Sequence, residues 1–207
     1  MNKIVKFILL FPIIISGCSS NENTNNLDNQ RFERFNMNIF SDEGVKTLSI
    51  QSANSTFNKE RNIFNLKETT IYLFKGKEKE YIISSDNAKL SNNNLVELDG
   101  NVSVNTLLQN DETLIANRFL WNVNKSEYLL NGNVVFESND IYLSSDKAIL
   151  NKDNNIIEFF NPVKYIIKDS NNESSYEINS ENAYYNIENK SVSFGSKEQR
   201  VRSKIYF

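Results

Sequence analysis

The chain has 207 residues, a formal net charge of −3, a single cysteine (Cys18) and no histidine. Without histidine, and with one cysteine, it cannot build a Ser-His-Asp triad, a Cys-His pair or an ordinary zinc site. The negative charge argues against a nucleic-acid partner, since binding nucleic acid needs a basic surface.

The first residues are typical of a bacterial lipoprotein signal. Lys3 and Lys6 give a basic start, and residues 4–15 are almost wholly apolar. A helix of that length covers roughly 18 Å, which is too short for the ~30 Å hydrocarbon core of a membrane. The residues Ile15-Ser16-Gly17-Cys18 resemble a lipobox, which predicts cleavage before Cys18 and a lipid on its thiol. The alternative is a chance cysteine near a secretory cleavage site.

This signal divides the chain into three parts. We predict a signal peptide over residues 1–17, a lipidated flexible tether over 18–30, and a folded β domain over 31–207. The tether is polar and rich in asparagine, as flexible linkers are. The mature protein is therefore expected to be exported and held on a membrane by its acyl chains.

The folded part opens with a short alternating segment. Phe35, Met37 and Ile39 alternate with polar residues, which predicts a first strand near residues 32–40. The segment Ser41-Asp42-Glu43-Gly44 follows and predicts a turn that ends on glycine.

An internal repeat organises the rest of the chain. In residues 95–104 apolar side chains fall on every second position, with Gly100 in the same series. The arrangement recurs in residues 128–136 around Gly132, and a looser copy runs over 157–167. Alternation with period two predicts β-strands with one apolar face, and the repetition predicts stacked units.

Each repeated unit has a small residue in its first strand. The apolar residues before this position and those after it do not fall on one continuous every-second-residue series. A bulge or corner is therefore expected directly after it. A polar, asparagine-rich turn and a returning strand complete the unit, which we interpret as a hairpin. The small residues recur every 29–35 positions and are Ser52, Ser85, Ala116, Ser145 and Ser180.

Stacked hairpins of this kind predict two antiparallel sheets that face each other. Their common interior would be lined by the apolar columns of the repeat. One interpretation is a closed hydrophobic core, and the other is an open apolar trough that holds a lipid. The pattern alone does not separate these two interpretations.

The order and spacing of four segments resemble the LptC family, within the wider family of LptA and OstA-like proteins. The resemblance runs from about Phe32 to about Ile167 and continues more weakly beyond it. It implies an all-β fold, a single twisted open β-jellyroll with two facing antiparallel sheets. The four segments are Phe32 to Ala53 with its Gly44 turn, Tyr81 to Leu90, Val96 to Val104, and Leu130 to Val135.

The resemblance also implies a function in lipopolysaccharide transport without any chemistry. Members of the family accept lipopolysaccharide that an inner-membrane ABC transporter has extracted, and pass it to an LptA-like periplasmic protein. The resemblance implies strand addition at the two ends of the jellyroll. The edge near Phe35–Ile39 would meet the jellyroll of the transporter permeases, and the edge in Tyr176–Val201 would meet the LptA-like protein. No cofactor and no metal are implied.

The lipobox is a departure from the family pattern. Many members keep an uncleaved transmembrane helix, whereas a lipid on Cys18 would provide the tether here. The resemblance implies a periplasmic protein anchored to the inner membrane. Ser19 leaves the outer membrane open as an alternative, because the residue after the lipidated cysteine directs sorting in enteric bacteria.

If lipid is carried, the acyl chains should contact the apolar columns of the repeat. Burial of a methylene group contributes roughly 0.8 kcal/mol, so an apolar trough can shelter acyl chains from water. The side chains that we predict to line this trough are Ile50, Phe57, Ile83, Leu90, Leu98, Val102, Trp121, Leu130, Val134, Phe136, Leu143, Phe159 and Tyr165.

Two other functions fit the same sequence. A structural or adaptor lipoprotein with a closed β core would bind envelope partners by strand addition and would not bind lipid. An envelope enzyme that uses carboxylates would need an acidic pair in a cleft, and no motif in the sequence favours one.

Overall fold

The computed structural model describes residues 29–91, 95–107, 112–122, 125, 127–138, 141–151, 153–168, 174–195 and 201–205. The signal peptide, Cys18 and nearly all of the tether that the sequence predicts lie outside the described residues. In the described part of the chain, no helix has the length and apolar character that crossing a membrane requires.

Twelve β-strands account for nearly all of the described residues, and every paired neighbour is antiparallel. The strands alternate apolar and polar side chains, which is the pattern of a sheet with one buried face. Their bounds are β1 (Asn29–Phe40), β2 (Lys46–Asn58), β3 (Ile63–Lys75), β4 (Glu78–Ser91), β5 (Leu95–Thr106), β6 (Thr113–Asn122), β7 (Glu127–Ser138), β8 (Ile141–Asn151), β9 (Ile156–Lys168), β10 (Ser174–Asn186), β11 (Val192–Gly195) and β12 (Arg202–Ile205).

The strands form a meander in which each of β1 to β10 lies beside the next in sequence. The predicted first strand and its turn are confirmed as β1 and the reversal at Gly44, whose φ is +77°. The predicted hairpins are confirmed as successive pairs, from β2 with β3 to β8 with β9. The last pair differs, because β11 and β12 both lie against β10 and share one strand position.

A corner interrupts each repeated unit at the predicted small residue. The Ser52 hydroxyl donates to the carbonyl of Asn54 at 2.7 Å, and the Ser85 hydroxyl donates in the same way to Asn87 at 2.9 Å. Ser145 and Ser180 repeat this bond, with distances of 2.9 and 2.8 Å to carbonyls two residues on. Strand register shifts beside most of these positions, so the predicted corner is confirmed.

The returning strands meet the corner with a left-handed backbone or an extra residue. In β5 the pair Gly100–Asn101 has φ values of 78° and 46°, and in β7 the pair Gly132–Asn133 has 76° and 49°. In β9 the register shift places Asn161 and Pro162 at the equivalent position. Proline lacks a backbone N–H and is tolerated at a bulge, where no ladder hydrogen bond is lost.

These interruptions line up across the strands and bend the sheet into two layers. We call residues 46–52 of β2, with the segments that pair alongside them, the first half-sheet. Residues 54–58 of β2, with the segments that pair alongside them, form the second half-sheet. Phe136 of the first half-sheet lies 4.5 Å from Tyr185 and 6.1 Å from Phe159 of the second, between ring centroids. The expected pair of facing antiparallel sheets is therefore present, as two halves of one bent sheet.

Candidate functional site

The residues predicted to line a trough lie together on the inner faces of the two half-sheets. All of them except Phe57 are at most 7% exposed and belong to one hydrophobic cluster. Phe57 is half-buried near the β1 end and stacks on Phe64 with centroids 4.4 Å apart. The buried members are Ile50, Ile83, Leu90, Leu98, Val102, Trp121, Leu130, Val134, Phe136, Leu143, Phe159 and Tyr165.

The same cluster contains interior residues that the sequence prediction did not include. Leu66, Phe119 and Tyr185 stand on the repeated apolar columns, so the repeat itself was a signal for them. Ile71 and Tyr128 lie on alternating positions of β3 and β7 and are equally buried. The apolar inner face therefore runs from the first strands of the meander to the last.

Little free volume remains between the half-sheets. A cavity of about 30 Å³ lies there, whereas sites for small ligands occupy roughly 300–1,000 Å³. The interpretation as a closed core thus describes this conformation, and a larger ligand could enter only if the half-sheets moved apart. The cavity is lined by Leu73, Tyr81, Ile83, Val104, Leu114, Phe119, Tyr128, Leu130, Leu150, Asn155 and Ile187.

The β1 end of the molecule combines a strand edge with an aromatic cluster. β1 pairs with β2 on one side, and among the described residues no strand pairs with its other side. Phe35 of the first half-sheet lies 5.2 Å from Phe64 of the second, and Phe32, three residues earlier in β1, is exposed. Apolar surface is therefore accessible at this end of the interior.

The opposite end is covered by the two short strands. β11 pairs with Asn182–Tyr185 and β12 with Tyr176–Asn179, so these parts of β10 are bonded on both sides. Across the interior, the rings of Tyr165 and Phe194 meet at 5.3 Å. The outer edge at this end is thus formed by β11, inside the predicted range of Tyr176–Val201, and by β12, which lies beyond it.

Polar side chains join the half-sheets on the side opposite the bend, which we call the mouth. The Tyr185 hydroxyl donates to Glu112 Oε1 at 2.8 Å, and the Lys190 ammonium pairs with the same carboxylate. The Glu112 side chain is 5% exposed, and the Lys190 side chain is 33% exposed. Burial, and next the bond to Glu112, raises the pKa of Tyr185, so its hydroxyl remains a donor at neutral pH.

Two further tyrosines lie at the mouth and line the small cavity. Burial raises the pKa of Tyr81 from 10.0 to about 12, and the nearby Glu80 and Glu112 charges act in the same direction. Burial likewise raises the pKa of Tyr128 to about 12. Both side chains are therefore neutral at physiological pH.

A larger hollow lies mainly on the outer face and has many polar and charged side chains in its wall. It has a volume of about 620 Å³ and is lined in part by Lys89, Glu97 and Asp99. Glu97 pairs with Lys89 at 3.9 Å and Asp99 with Arg118 at 3.4 Å, so each carboxylate has a cationic neighbour. Among the described residues, no cluster of carboxylates is placed to hold a metal ion.

Comparison with known proteins places the sequence in a family. The sequence model for lipopolysaccharide-assembly, LptC-related proteins matches residues 15–127, and the model for OstA-like proteins matches residues 105–204. No curated protein matches the chain at a significant level.

Among solved structures, the chain is similar to LptH of Pseudomonas aeruginosa, described as the LptA homologous periplasmic component of the conserved lipopolysaccharide transport device. The identity is 10%, the match covers 77% of this chain and 94% of LptH, and the TM-score is 0.31. A TM-score this low does not define a common architecture, so the family is decided by the sequence match, which spans more than half of the 207 residues. The chain belongs to the LptC-related family of lipopolysaccharide-assembly proteins.

Proposed function

We propose that the protein is a membrane-tethered periplasmic component of lipopolysaccharide transport. It receives lipid from an inner-membrane ABC transporter, shelters the acyl chains between its half-sheets, and passes them to an LptA-like protein. The observation that carries this proposal is an apolar inner face that continues through the whole meander of a chain in the LptC-related family. No covalent step is part of this role.

The repeated interior suits transit better than storage. Each buried methylene gains roughly 0.8 kcal/mol, so acyl chains remain out of water wherever they lie along the inner face. Because every hairpin contributes equivalent apolar columns, a chain can move from one hairpin to the next between similar surroundings. The lipid is then held without a single deep free-energy minimum that would trap it at one position.

The tether sets the direction of transfer. From Cys18 to the start of β1 at Asn29 the chain can span at most roughly 40 Å. A lipid on Cys18 therefore keeps the β1 edge near the inner membrane, where the transporter jellyroll pairs with it by strand addition. The edge formed by β11 and β12 then faces away from the tether and meets the LptA-like partner.

Trp121 provides a direct test, because it is the single tryptophan and lies in the interior. Titration of the purified protein with lipopolysaccharide should give a saturable blue shift or quench of its emission. The matched control is the polysaccharide without acyl chains, which should leave the emission unchanged. A response to both ligands, or to neither, contradicts a site for acyl chains.

The alternative function is an adaptor with a permanently closed core. The cavity of about 30 Å³ favours it, since so little room remains for a ligand. An adaptor would bind the permeases and the LptA-like protein in pull-down experiments while Trp121 emission stays constant with lipopolysaccharide. Partner binding and Trp121 emission together therefore distinguish the two functions.

A further inference from the structure

The residues that join the half-sheets at the mouth are Glu112, Tyr185 and Lys190. Glu112 directly precedes β6 on the side of the first half-sheet, whereas Lys190 follows β10 on the side of the second. Their side chains meet although they are 78 positions apart in sequence. This contact spans the gap through which an acyl chain would reach the interior from the side.

The side chains at both ends of the contact can rotate away without loss of backbone hydrogen bonds. Glu112 and Lys190 lie outside the strands, and the Glu112 carbonyl stays bonded to the Thr106 N–H at 3.1 Å whatever its side chain does. Lys190 has a φ of 58° and a third of its side chain in water, so solvent can replace Glu112 as its partner. The Tyr185 hydroxyl, in contrast, is fixed on β10 and holds the carboxylate from inside.

The contact is poorly explained as a device for stability. Burying two charges costs most of what their attraction returns, and apolar side chains of similar size often serve a core as well. The cavity beside the contact is lined mostly by apolar and aromatic side chains, among them Tyr81, Tyr128 and Ile187. A charge pair differs from apolar contacts because water or another ion can replace either of its partners and so release it.

We propose that the Glu112–Lys190 pair is a latch that holds the mouth closed and must open before acyl chains can enter the interior from the side. Tyr185 is the positioning residue that keeps Glu112 on the closed side. The inference depends on the proposed function for its lipid, but closure of the mouth is a property of the protein alone. The two can therefore be tested separately.

The first experiment measures opening without lipid. Acrylamide quenching of Trp121, whose indole lies 5.4 Å from the Tyr128 ring, reports access to the interior. Glu112→Gln keeps the shape and the Tyr185 bond but removes the charge, and should raise the bimolecular quenching constant by up to about tenfold. The reversed pair, Glu112→Lys with Lys190→Glu, should restore the low value. Equal quenching in all three proteins, each with an unchanged near-ultraviolet dichroism spectrum, overturns the latch.

The second experiment measures the rate of the Trp121 response to lipopolysaccharide. Cysteines at positions 112 and 190, in the full chain with Cys18→Ser, are either bridged by a short bismaleimide or capped singly by N-ethylmaleimide. Bridging should slow the response at least about tenfold relative to capping. Equal rates overturn the latch. If the wild-type protein does not respond to lipopolysaccharide at all, the proposed function fails, and the quenching experiment still decides whether the mouth is latched.

Discussion

Gly100 in β5 lies directly against the side chain of Asp86 in β4. A Cβ at Gly100 would stand 2.6 Å from Asp86 Oδ2, which also accepts a hydrogen bond from the Asn101 amide at 2.8 Å. Gly100 combines this close approach with a φ of +78°, where a side chain is strained. One glycine therefore satisfies both a backbone and a packing requirement of the bend.

The first prediction concerns this position. Gly100→Ala should lower the free energy of unfolding by about 2–4 kcal/mol, because strain at positive φ adds to a clash with Asp86. Gly76→Ala is the matched control, since Gly76 has a φ of +63° but nothing within 4 Å of its Cβ position. Urea denaturation should show a smaller loss for the control. Equal losses would mean that the clash with Asp86 contributes nothing.

The second prediction concerns the serine hydroxyls at the corner. Ser145→Ala removes the donor to the Lys147 carbonyl and should cost about 0.5–1.5 kcal/mol of stability, measured as a shift of the urea midpoint. Ser193→Ala on the exposed face of β11 serves as the control and should change the midpoint little. The natural Ala116 marks the same position in another hairpin, so a Ser145→Ala protein that fails to fold would contradict this account of the corner.

The third prediction separates inner from outer face. Phe57→Asp places a charge at the margin of the interior and should weaken the lipopolysaccharide response of Trp121 at least about tenfold. Phe57 is half-buried, so the domain should remain folded by circular dichroism. Ile115→Asp, at an outer position that is 41% exposed, is the control. If both variants bind like the wild type, Phe57 does not line the lipid path.

The fourth prediction concerns alkaline pH. The folded pKa values of Tyr81 and Tyr128 are about 12, against 10.0 when exposed, so the folded state keeps its protons longer. Their contribution is fully present below pH 10 and is lost as pH rises from 10 to 12, with a slope of at most about 1.4 kcal/mol per pH unit for each tyrosine.

Urea midpoints measured between pH 9 and 12 test this linkage. Tyr128→Phe should make the decline shallower, and Tyr81→Phe with Tyr128→Phe should make it shallower still. A midpoint that stays constant up to pH 12 in the wild type would show that these hydroxyls are not buried in solution.

Much of the fold could be predicted because its signals are local. Alternation around Val96 and Val104 fixes which face of β5 is buried, and a parity change after Ser85 marks the corner in β4. Each of these features depends on residues within one hairpin. The repeat then supplies the same information several times over.

The arrangement at the mouth could not be predicted in this way. Glu112 stands in a polar connection with no periodic pattern, and its partner Lys190 ends an ordinary asparagine-rich turn. Their meeting depends on the bend and twist accumulated over the intervening strands. The sequence also did not predict that β11 and β12 share one strand position beside β10, because each strand is only four residues long.

The meander also determines how the chain can fold. From β1 to β11 every strand pairs with a strand adjacent in sequence, so each hairpin can form when its own residues are present. A chain that emerges from a membrane channel with its N-terminus first can then build its sheet progressively, and each new hairpin covers the edge left by the last. The contact between Glu112 and Lys190 forms near the end of this sequence, so closure of the mouth marks a completed domain.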